Sequence, residues 1–288
     1  MNVRFQPYVG KRFKGWIHKD FQPPVELLEY PEKVCEFPGA ERLLDCRGRQ
    51  IFRLPLLVRG QFQSCFTYYF RNASLSRSLR RNYAFQNLRM SRKLHRNGLG
   101  TITVVAALKQ RGEWLNWHSF SVAPEIPSVC EIPSTGNHIF QVHPVIDFSP
   151  QIAVDLAREL VSFHTKGFFH GDLKTRHILV DIRQNPHTRF YFVDLEKCQH
   201  FPHLKGYLRD ILAARDLVQL FASLPETSKV ANFKGVLLDH YLGASELSLS
   251  RQERLRRIID LYRPGGVLRQ GQTLFSSLWT NVVSPPRD

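Results

Sequence analysis

The sequence predicts an α+β fold in two parts, a small β-rich part followed by a mainly helical part. Short runs of β-branched and aromatic residues, separated by glycines, fill much of residues 41–124. Longer segments in which apolar residues recur at helical spacing follow after residue 149. A chain of 288 residues is long enough for both parts. We therefore expect an N-terminal extension at 1–40, the β-rich part at 41–124 and the helical part at 125–288.

The extension at 1–40 interleaves basic and aromatic side chains, among them Arg12, Phe13, Trp16 and Lys19. Two interpretations stay open. Aromatic rings beside cations suit a bilayer interface, where the ring lies at headgroup depth and the cation meets phosphate. The same side chains also suit packing against the rest of the protein, which we favour slightly.

The β-rich part contains predicted strands at 42–44, 50–54, 64–70, 101–108 and 118–122. A helix is predicted within it at 75–96, ending before Asn97-Gly98. That segment holds cations and no acid, including Arg77, Arg80, Arg81, Arg89 and Arg92. Because like charges on one helix repel each other, we favour the binding of an acidic ligand over a merely solvated surface.

The helical part is marked by helix start and stop signals. Ser149 and Pro150 predict the start of a helix that runs to Thr165, with Gly167 beyond its end. A second helix is predicted at 208–224, before a proline. A capping box that begins at Ser250 predicts a last helix, which ends at a Pro-Gly-Gly sequence.

The chemistry is concentrated in the run His170-Gly171-Asp172-Leu173-Lys174-Thr175-Arg176-His177, followed by Phe192-Val193-Asp194-Leu195-Glu196. In phosphoryl-transfer enzymes an H-x-D-L loop provides a catalytic carboxylate, here Asp172, and a metal ligand five residues later, here His177. A second acid after a short strand, here Asp194, holds the metal that bridges the phosphates. The alternative, in which these acids only cap loops, does not explain their joint spacing.

This run resembles the bacterial lipopolysaccharide kinases, which phosphorylate heptose or 3-deoxy-octulosonate in the inner core. The resemblance implies a bilobal, protein-kinase-like fold that uses ATP and Mg²⁺. It implies that Asp172 is the catalytic base, that Asp194 and His177 are metal ligands, and that His170 and Asp216 give structural support. For Asp216, an exposed helix position is the alternative. Pro124–Pro127 would be the hinge, with Glu125 and Ile126 at the nucleotide. Aminoglycoside-type phosphotransferases share the H-G-D-L sequence, so the fold is better supported than the substrate.

Two positions depart from this family. The strand Lys that pairs with the nucleotide phosphates is replaced by Tyr68, and the helix Glu that positions it by Ala84. No G-x-G-x-x-G occurs, and a phosphate-covering loop is placed around Cys46-Arg47-Gly48-Arg49. Lys174 is the candidate for part of the lost charge at the γ-phosphate, and Arg71 is another. Two functions therefore stay open: an active kinase, which we favour, and a pseudokinase that binds a glycolipid or a protein without phosphoryl transfer.

The net charge and the amino-acid composition limit the kinds of partner that we expect. Forty Lys and Arg against 25 Asp and Glu give a net charge of +15, which favours anionic partners. We expect an anionic glycolipid and peripheral association with the cytoplasmic face of the inner membrane, since no apolar run approaches ~20 residues. Nucleic acid is disfavoured because no nucleic-acid-binding motif occurs. Five scattered cysteines indicate reduced thiols and no zinc site. Because His177 is a softer ligand than Asn, we also expect Mn²⁺ to support activity well.

Overall fold

The computed structural model describes residues 5–46, 48–71, 82–111, 118–133, 146–181, 183, 188–244 and 248–261. They form two compact units. The first comprises the described residues of 1–147 and 176–198, and the second those of 148–175 and 199–288. The first unit is built mainly of strands and the second mainly of helices. This confirms the predicted α+β fold class.

A seven-stranded antiparallel sheet forms the body of the first unit. Its strands are β1 (Phe5–Val9), β2 (Phe13–His18), β3 (Glu41–Cys46), β4 (Arg49–Val58), β5 (Gln61–Arg71), β6 (Ala106–Gln110) and β7 (His118–Pro124). Their order is β1-β2-β6-β7-β5-β4-β3. Strands β3 to β7 overlap the five predicted strand segments, although β6 begins five residues later than predicted. Before β6, the Thr101 hydroxyl donates to the Phe192 carbonyl at 2.6 Å. Thr101 therefore hydrogen bonds to a residue outside this sheet.

The N-terminal residues belong to this sheet, and the separate extension predicted at 1–40 is not what the structure shows. Strand β2 pairs with β1 on one side and with β6 on the other. Phe13 and Phe21 are buried in the core, and Arg12 forms an ion pair with Glu32 at 2.6 Å. Of the two interpretations of this segment, packing therefore accounts for these three side chains. Strand β2 was not predicted because only Phe13, Ile17 and His18 of its six residues are buried.

The two faces of the sheet carry separate hydrophobic clusters, as the alternation of side chains along a strand requires. Ala106 and Leu108 face one cluster, which the short helix α1 (Val25–Glu29) completes. Ala107 faces the other, which helix α2 (Tyr83–Arg96) completes.

Helix α2 begins later than the predicted start at residue 75. The Asn82 side chain accepts a hydrogen bond from the Phe85 amide at 3.2 Å, which caps the helix at this point. Arg77, Arg80 and Arg81 lie outside the described residues and precede this cap. Of the predicted cationic helix, the structure describes Tyr83–Arg96. Its basic residues in the last turn stabilise the helix dipole.

A second, three-stranded sheet completes the first unit. Strands β10 (Ile178–Asp181) and β11 (Arg189–Phe192) form an antiparallel pair, and β8 (Cys130–Glu131) joins β10. The predicted hinge at 124–127 leads directly into β8 within this unit. The boundary predicted at residue 125 is therefore wrong, because β-pairing keeps the following residues with the strands.

The second unit contains four helices among its described residues and a small sheet of β9 (Phe168–Phe169) and β12 (Gln199–His200). The helices are α3 (Pro150–Thr165), α4 (Gly206–Ser223), α5 (Ser228–Ala244) and α6 (Leu249–Leu261). Ser149 caps α3 as predicted, since its hydroxyl accepts the Ile152 amide at 3.2 Å.

Two features of this unit differ from the sequence prediction. Helix α5, which packs on α3, was not predicted, although Val230, Phe233 and Leu237 follow helical spacing. Helix α6 starts at Leu249, and the expected capping box is not formed, because Glu253 instead pairs with Arg257 at 2.6 Å. Within the described ranges no helix is both long and apolar enough to cross a bilayer.

Candidate active-site residues

The loop that carries the predicted catalytic base lies in the second unit and links β9 to residue 175. We call residues 170–175 the Asp172 loop. Within it Lys174 Nζ lies 2.9 Å from Asp172 Oδ1, and both side chains are partly exposed, at 34% and 22%. The predicted base and the predicted phosphate contact therefore stand side by side and are accessible to a substrate.

Helix α4 holds the backbone of the Asp172 loop along one face. Asp216 is buried and accepts the amides of His170 at 2.6 Å and Gly171 at 2.9 Å. Gln219 accepts the Leu173 amide at 3.1 Å, and Ser223 accepts the Thr175 amide at 2.9 Å. Arg215 donates to the Gly171 carbonyl at 3.0 Å. Positions 216, 219 and 223 share a helix face, so one helix fixes the loop at successive amides.

A buried chain of polar groups continues from Asp216 into the unit. His164 Nε2 lies 3.4 Å from Asp216 Oδ2, and His164 Nδ1 lies 2.8 Å from the Tyr241 hydroxyl. A carboxylate oxygen can only accept, so His164 Nε2 is the donor to Asp216. Burial alone would raise the pKa of Asp216, but hydrogen bonds from His164 and the His170 backbone lower it below its ordinary value. Asp216 therefore stays ionised inside the unit.

The predicted metal ligands lie in the first unit, at the end of strand β11. Asp194 has left-handed backbone angles, with φ 59° and ψ 57°, which Asp tolerates better than most residues. The Val193 amide donates to the His177 carbonyl at 3.0 Å, which places Asp194 beside His177. His177 Nε2 lies 3.4 Å from Asp194 Oδ2. Residues held in this backbone region are concentrated at functional sites.

Arg49 and Glu196 complete what we call the Asp194 cluster, formed by Arg49, Tyr68, His177, Asp194 and Glu196. Arg49 Nη1 lies 2.8 Å from Glu196 Oε1 and 3.6 Å from Asp194 Oδ2. Burial and the Asp194 charge raise the pKa of Glu196 to about 7, although Arg49 opposes this shift. Two crowded carboxylates thus share one guanidinium.

Asp194 and His177 offer two donor atoms to a divalent cation, and Arg176 Nε lies 3.3 Å from the same His177 Nε2. Adjacent ligands of one octahedral Mg²⁺, each at about 2.1 Å, lie about 3 Å apart. The 3.4 Å between His177 Nε2 and Asp194 Oδ2 is close to that separation. Among the described residues no group of three or more His, Cys, Asp or Glu could enclose a metal. Two protein ligands suit Mg²⁺, which takes its remaining ligands from phosphates and water.

Tyr68 and Ala84, which replace the strand Lys and the helix Glu, both contact the hydrophobic cluster beneath α2. Burial and the Asp194 charge raise the pKa of Tyr68 above its ordinary value, so its hydroxyl stays neutral. Arg71, the alternative phosphate contact, instead pairs with Asp45 at 3.1 Å. None of the residues Tyr68, Ala84 and Arg71 therefore replaces the positive charge of the missing strand Lys.

The predicted nucleotide contacts at the end of β7 already have protein partners. The Glu125 amide donates to the Ser64 carbonyl at 2.8 Å, and its carboxylate accepts two hydrogen bonds from Arg53, at 3.0 and 3.2 Å. Ile126 packs against the cluster beneath α2. Their contact with nucleotide stays a prediction.

The arginines that were predicted to bind an acidic ligand differ in their surroundings. Arg89 is exposed and hydrogen bonds to Gln86 at 2.8 Å, whereas the Arg92 guanidinium lies over the Phe5 ring at 5.3 Å. Arg77, Arg80 and Arg81 lie outside the described residues. Arg89 is therefore the one predicted position that the structure places on an exposed helical surface.

The sequence did not predict several residues that hold the Asp172 loop or belong to the Asp194 cluster. Gln219 and Ser223 could have been found from the polar stripe that they form with Asp216 at helical spacing along helix α4. Arg49 was included only in a guessed phosphate loop. No local pattern links it to Glu196, which lies 147 residues later in the chain.

An acid beside a lysine on a braced loop, and an acid beside a histidine after a strand, are residue types that phosphotransferases of the kinase class use. Residues 63–229 match the lipopolysaccharide kinase (Kdo/WaaP) family. Because this match covers more than half of the sequence, the chain belongs to that family. A comparison with curated proteins found no match. Among solved structures the chain is similar to "WaaP in complex with acyl carrier protein", with 21% identity and a TM-score of 0.46, over 91% of this chain and 96% of that one.

Proposed function

We propose that this protein transfers the γ-phosphoryl group of ATP to a hydroxyl of an inner-core sugar of lipopolysaccharide, either heptose or 3-deoxy-octulosonate. The observation that carries the proposal is the Asp172 loop, in which the acid–lysine pair sits on a backbone fixed by helix α4. A loop held at this many amides is preorganised for catalysis. Family membership supports the lipopolysaccharide substrate class.

The residues take the following roles in the proposed reaction. Asp172 orients the acceptor hydroxyl and receives its proton while the oxygen attacks the γ-phosphorus and the bond to ADP breaks. Lys174 stabilises negative charge on the transferring group. Asp194 and His177 would hold Mg²⁺ or Mn²⁺, which supplies charge neutralisation at the phosphates.

The net charge of +15 supports a location at the cytoplasmic face of the inner membrane, where the acceptor is an anionic glycolipid. Lys14 and Trp16 are both exposed, so strand β2 presents a cation and an aromatic ring to solvent. Such a pair suits peripheral contact with headgroups.

The test is phosphoryl transfer from labelled ATP to lipopolysaccharide taken from a strain in which this gene is deleted. We expect incorporation into the inner core, and a loss of at least about 100-fold in Asp172→Asn and in Asp194→Asn. Asp239→Asn is the matched control because its side chain is 65% exposed in the second unit. Transfer that is indifferent to Asp172 and Asp194 would refute the assignment. A phosphate map of the product would identify the sugar and the hydroxyl.

A further inference from the structure

We propose that Arg49 binds the phosphates of the nucleotide in place of the missing strand lysine, and that Glu196 positions it in place of the missing helix glutamate. This inference rests on the proposed function and names the phosphate-binding residue of that same site. It explains how a chain with Tyr68 and Ala84 at the usual positions retains a charged pair beside its metal-binding acid.

The register of the sheet puts Arg49 on the required face. In β4 and β5, Arg49 pairs with Phe70 and Ile51 pairs with Tyr68. Residues directly opposite in an antiparallel pair share a face, and the diagonal neighbour lies about 7–8 Å away. Arg49 is therefore the diagonal neighbour of Tyr68 on the adjacent strand. A guanidinium on its three-carbon stem can span that distance, so the cation reaches the same region from a different strand.

Arg49 makes the same two kinds of contact as the lysine that usually occupies this site in kinases. The usual lysine is held by one carboxylate and lies close to the acid that binds the metal. Arg49 Nη1 is held by Glu196 at 2.8 Å and lies 3.6 Å from Asp194. Its side chain is 26% exposed, so a ligand can approach it.

The chemistry of the guanidinium leaves capacity for phosphate. Arg carries five N–H donors in a planar fork, and those on Nη1 face Glu196. Donors elsewhere on the fork suit two oxygens of one phosphate. The carboxylate of Asp194 lies beside this guanidinium, and a divalent cation held there would add positive charge in favour of a polyanionic ligand.

The test is competition binding of ATP and adenosine against a fluorescent ATP analogue in the presence of Mg²⁺. Arg49→Met keeps the length of the side chain and removes the charge. We expect ATP affinity to fall about 10- to 150-fold, the range for losing a charge-assisted hydrogen bond, while adenosine affinity changes less than about threefold. Glu196→Gln should lower ATP affinity by a smaller factor. Arg42→Ala is the matched control, since it removes an arginine that is 60% exposed from the same sheet.

The outcomes separate this proposal from the function on which it rests. If the wild type binds ATP but Arg49→Met binds it equally well, Arg49 is not the phosphate contact and the kinase proposal stands. An equal loss of ATP and adenosine affinity would assign Arg49 a structural role and overturn the inference. Arg49→Lys, which keeps a charge beside Glu196 and so protects the fold, should retain part of the preference for ATP over adenosine. A wild type that binds no ATP would overturn both proposals.

Discussion

Replacing Asp216 with Asn should destabilise the second unit far more than an isosteric change suggests. The side chain is 1% exposed and accepts the amides of His170 at 2.6 Å and Gly171 at 2.9 Å, as well as His164. Leaving a buried donor unsatisfied costs about 1–3 kcal/mol. Because Asn keeps one carbonyl oxygen and turns an NH₂ group toward the remaining donors, we expect a loss of about 2–4 kcal/mol in the free energy of unfolding. Domains are stable by only about 5–15 kcal/mol, so this is a large fraction.

The pH dependence of this effect follows from the lowered pKa of Asp216. A carboxyl whose pKa is depressed on folding contributes stability above its unfolded pKa of about 3.9, and that contribution is lost as the pH falls toward the folded value. The difference in unfolding free energy between wild type and Asp216→Asn should therefore be constant from about pH 7 to pH 5. It should shrink below about pH 4.

Urea denaturation of the full chain, followed by circular dichroism at several pH values, measures both effects. The control is Asp239→Asn on helix α5, because its exposed ion pair with Arg256 at 2.7 Å is worth about 0–1 kcal/mol. A loss for Asp216→Asn no larger than that of the control would show that the helix does not hold the Asp172 loop. A difference that persists unchanged below pH 4 would show that ionisation of Asp216 is not its source.

Three further results are expected. Lys174→Ala should lower the phosphoryl-transfer rate at least about tenfold, since Lys174 is the cation beside Asp172, and an unchanged rate would contradict its proposed role. His177→Asn should lower the ratio of Mn²⁺- to Mg²⁺-supported activity, because imidazole favours transition metals; an unaltered ratio would remove His177 from the metal site. The protein should co-sediment with anionic vesicles at low salt and dissociate by about 0.5 M salt. Arg77, Arg80 and Arg81 changed together to Glu should weaken that binding, whereas binding that ignores both changes would count against the membrane proposal.

The sequence predicted those features that depend on neighbouring residues. Helix α3 was located from Ser149 and Pro150 because a cap and a first-turn proline act locally. Strand β11 was located from the short apolar run that ends just before Asp194. The two acids of the candidate site could be named because a loop motif fixes their spacing along the chain.

The features that were missed depend on residues far apart in the chain. Strand β2 joins the sheet through β6, about 90 residues away, and no local signal reveals such a partner. The start of helix α2 after its cap Asn82 was missed because the arginines before it also favour helix. The link between Arg49 and Glu196 follows only from the register of β4 against β5 and from the turn after β11. These contacts depend on the tertiary structure, and the local propensity of the sequence for helix or strand does not predict them.

The order of the large sheet has a consequence for anyone who shortens this chain. The family match spans residues 63–229, yet β1, β2, β3 and β4 all lie before it. A fragment cut to those limits would lose four of the seven strands and leave the outer sides of β5 and β6 with unpaired amides and carbonyls. Open strand edges of that kind recruit other chains and promote aggregation. The segment that identifies the family is therefore smaller than the piece of polypeptide that can be expected to stay in solution.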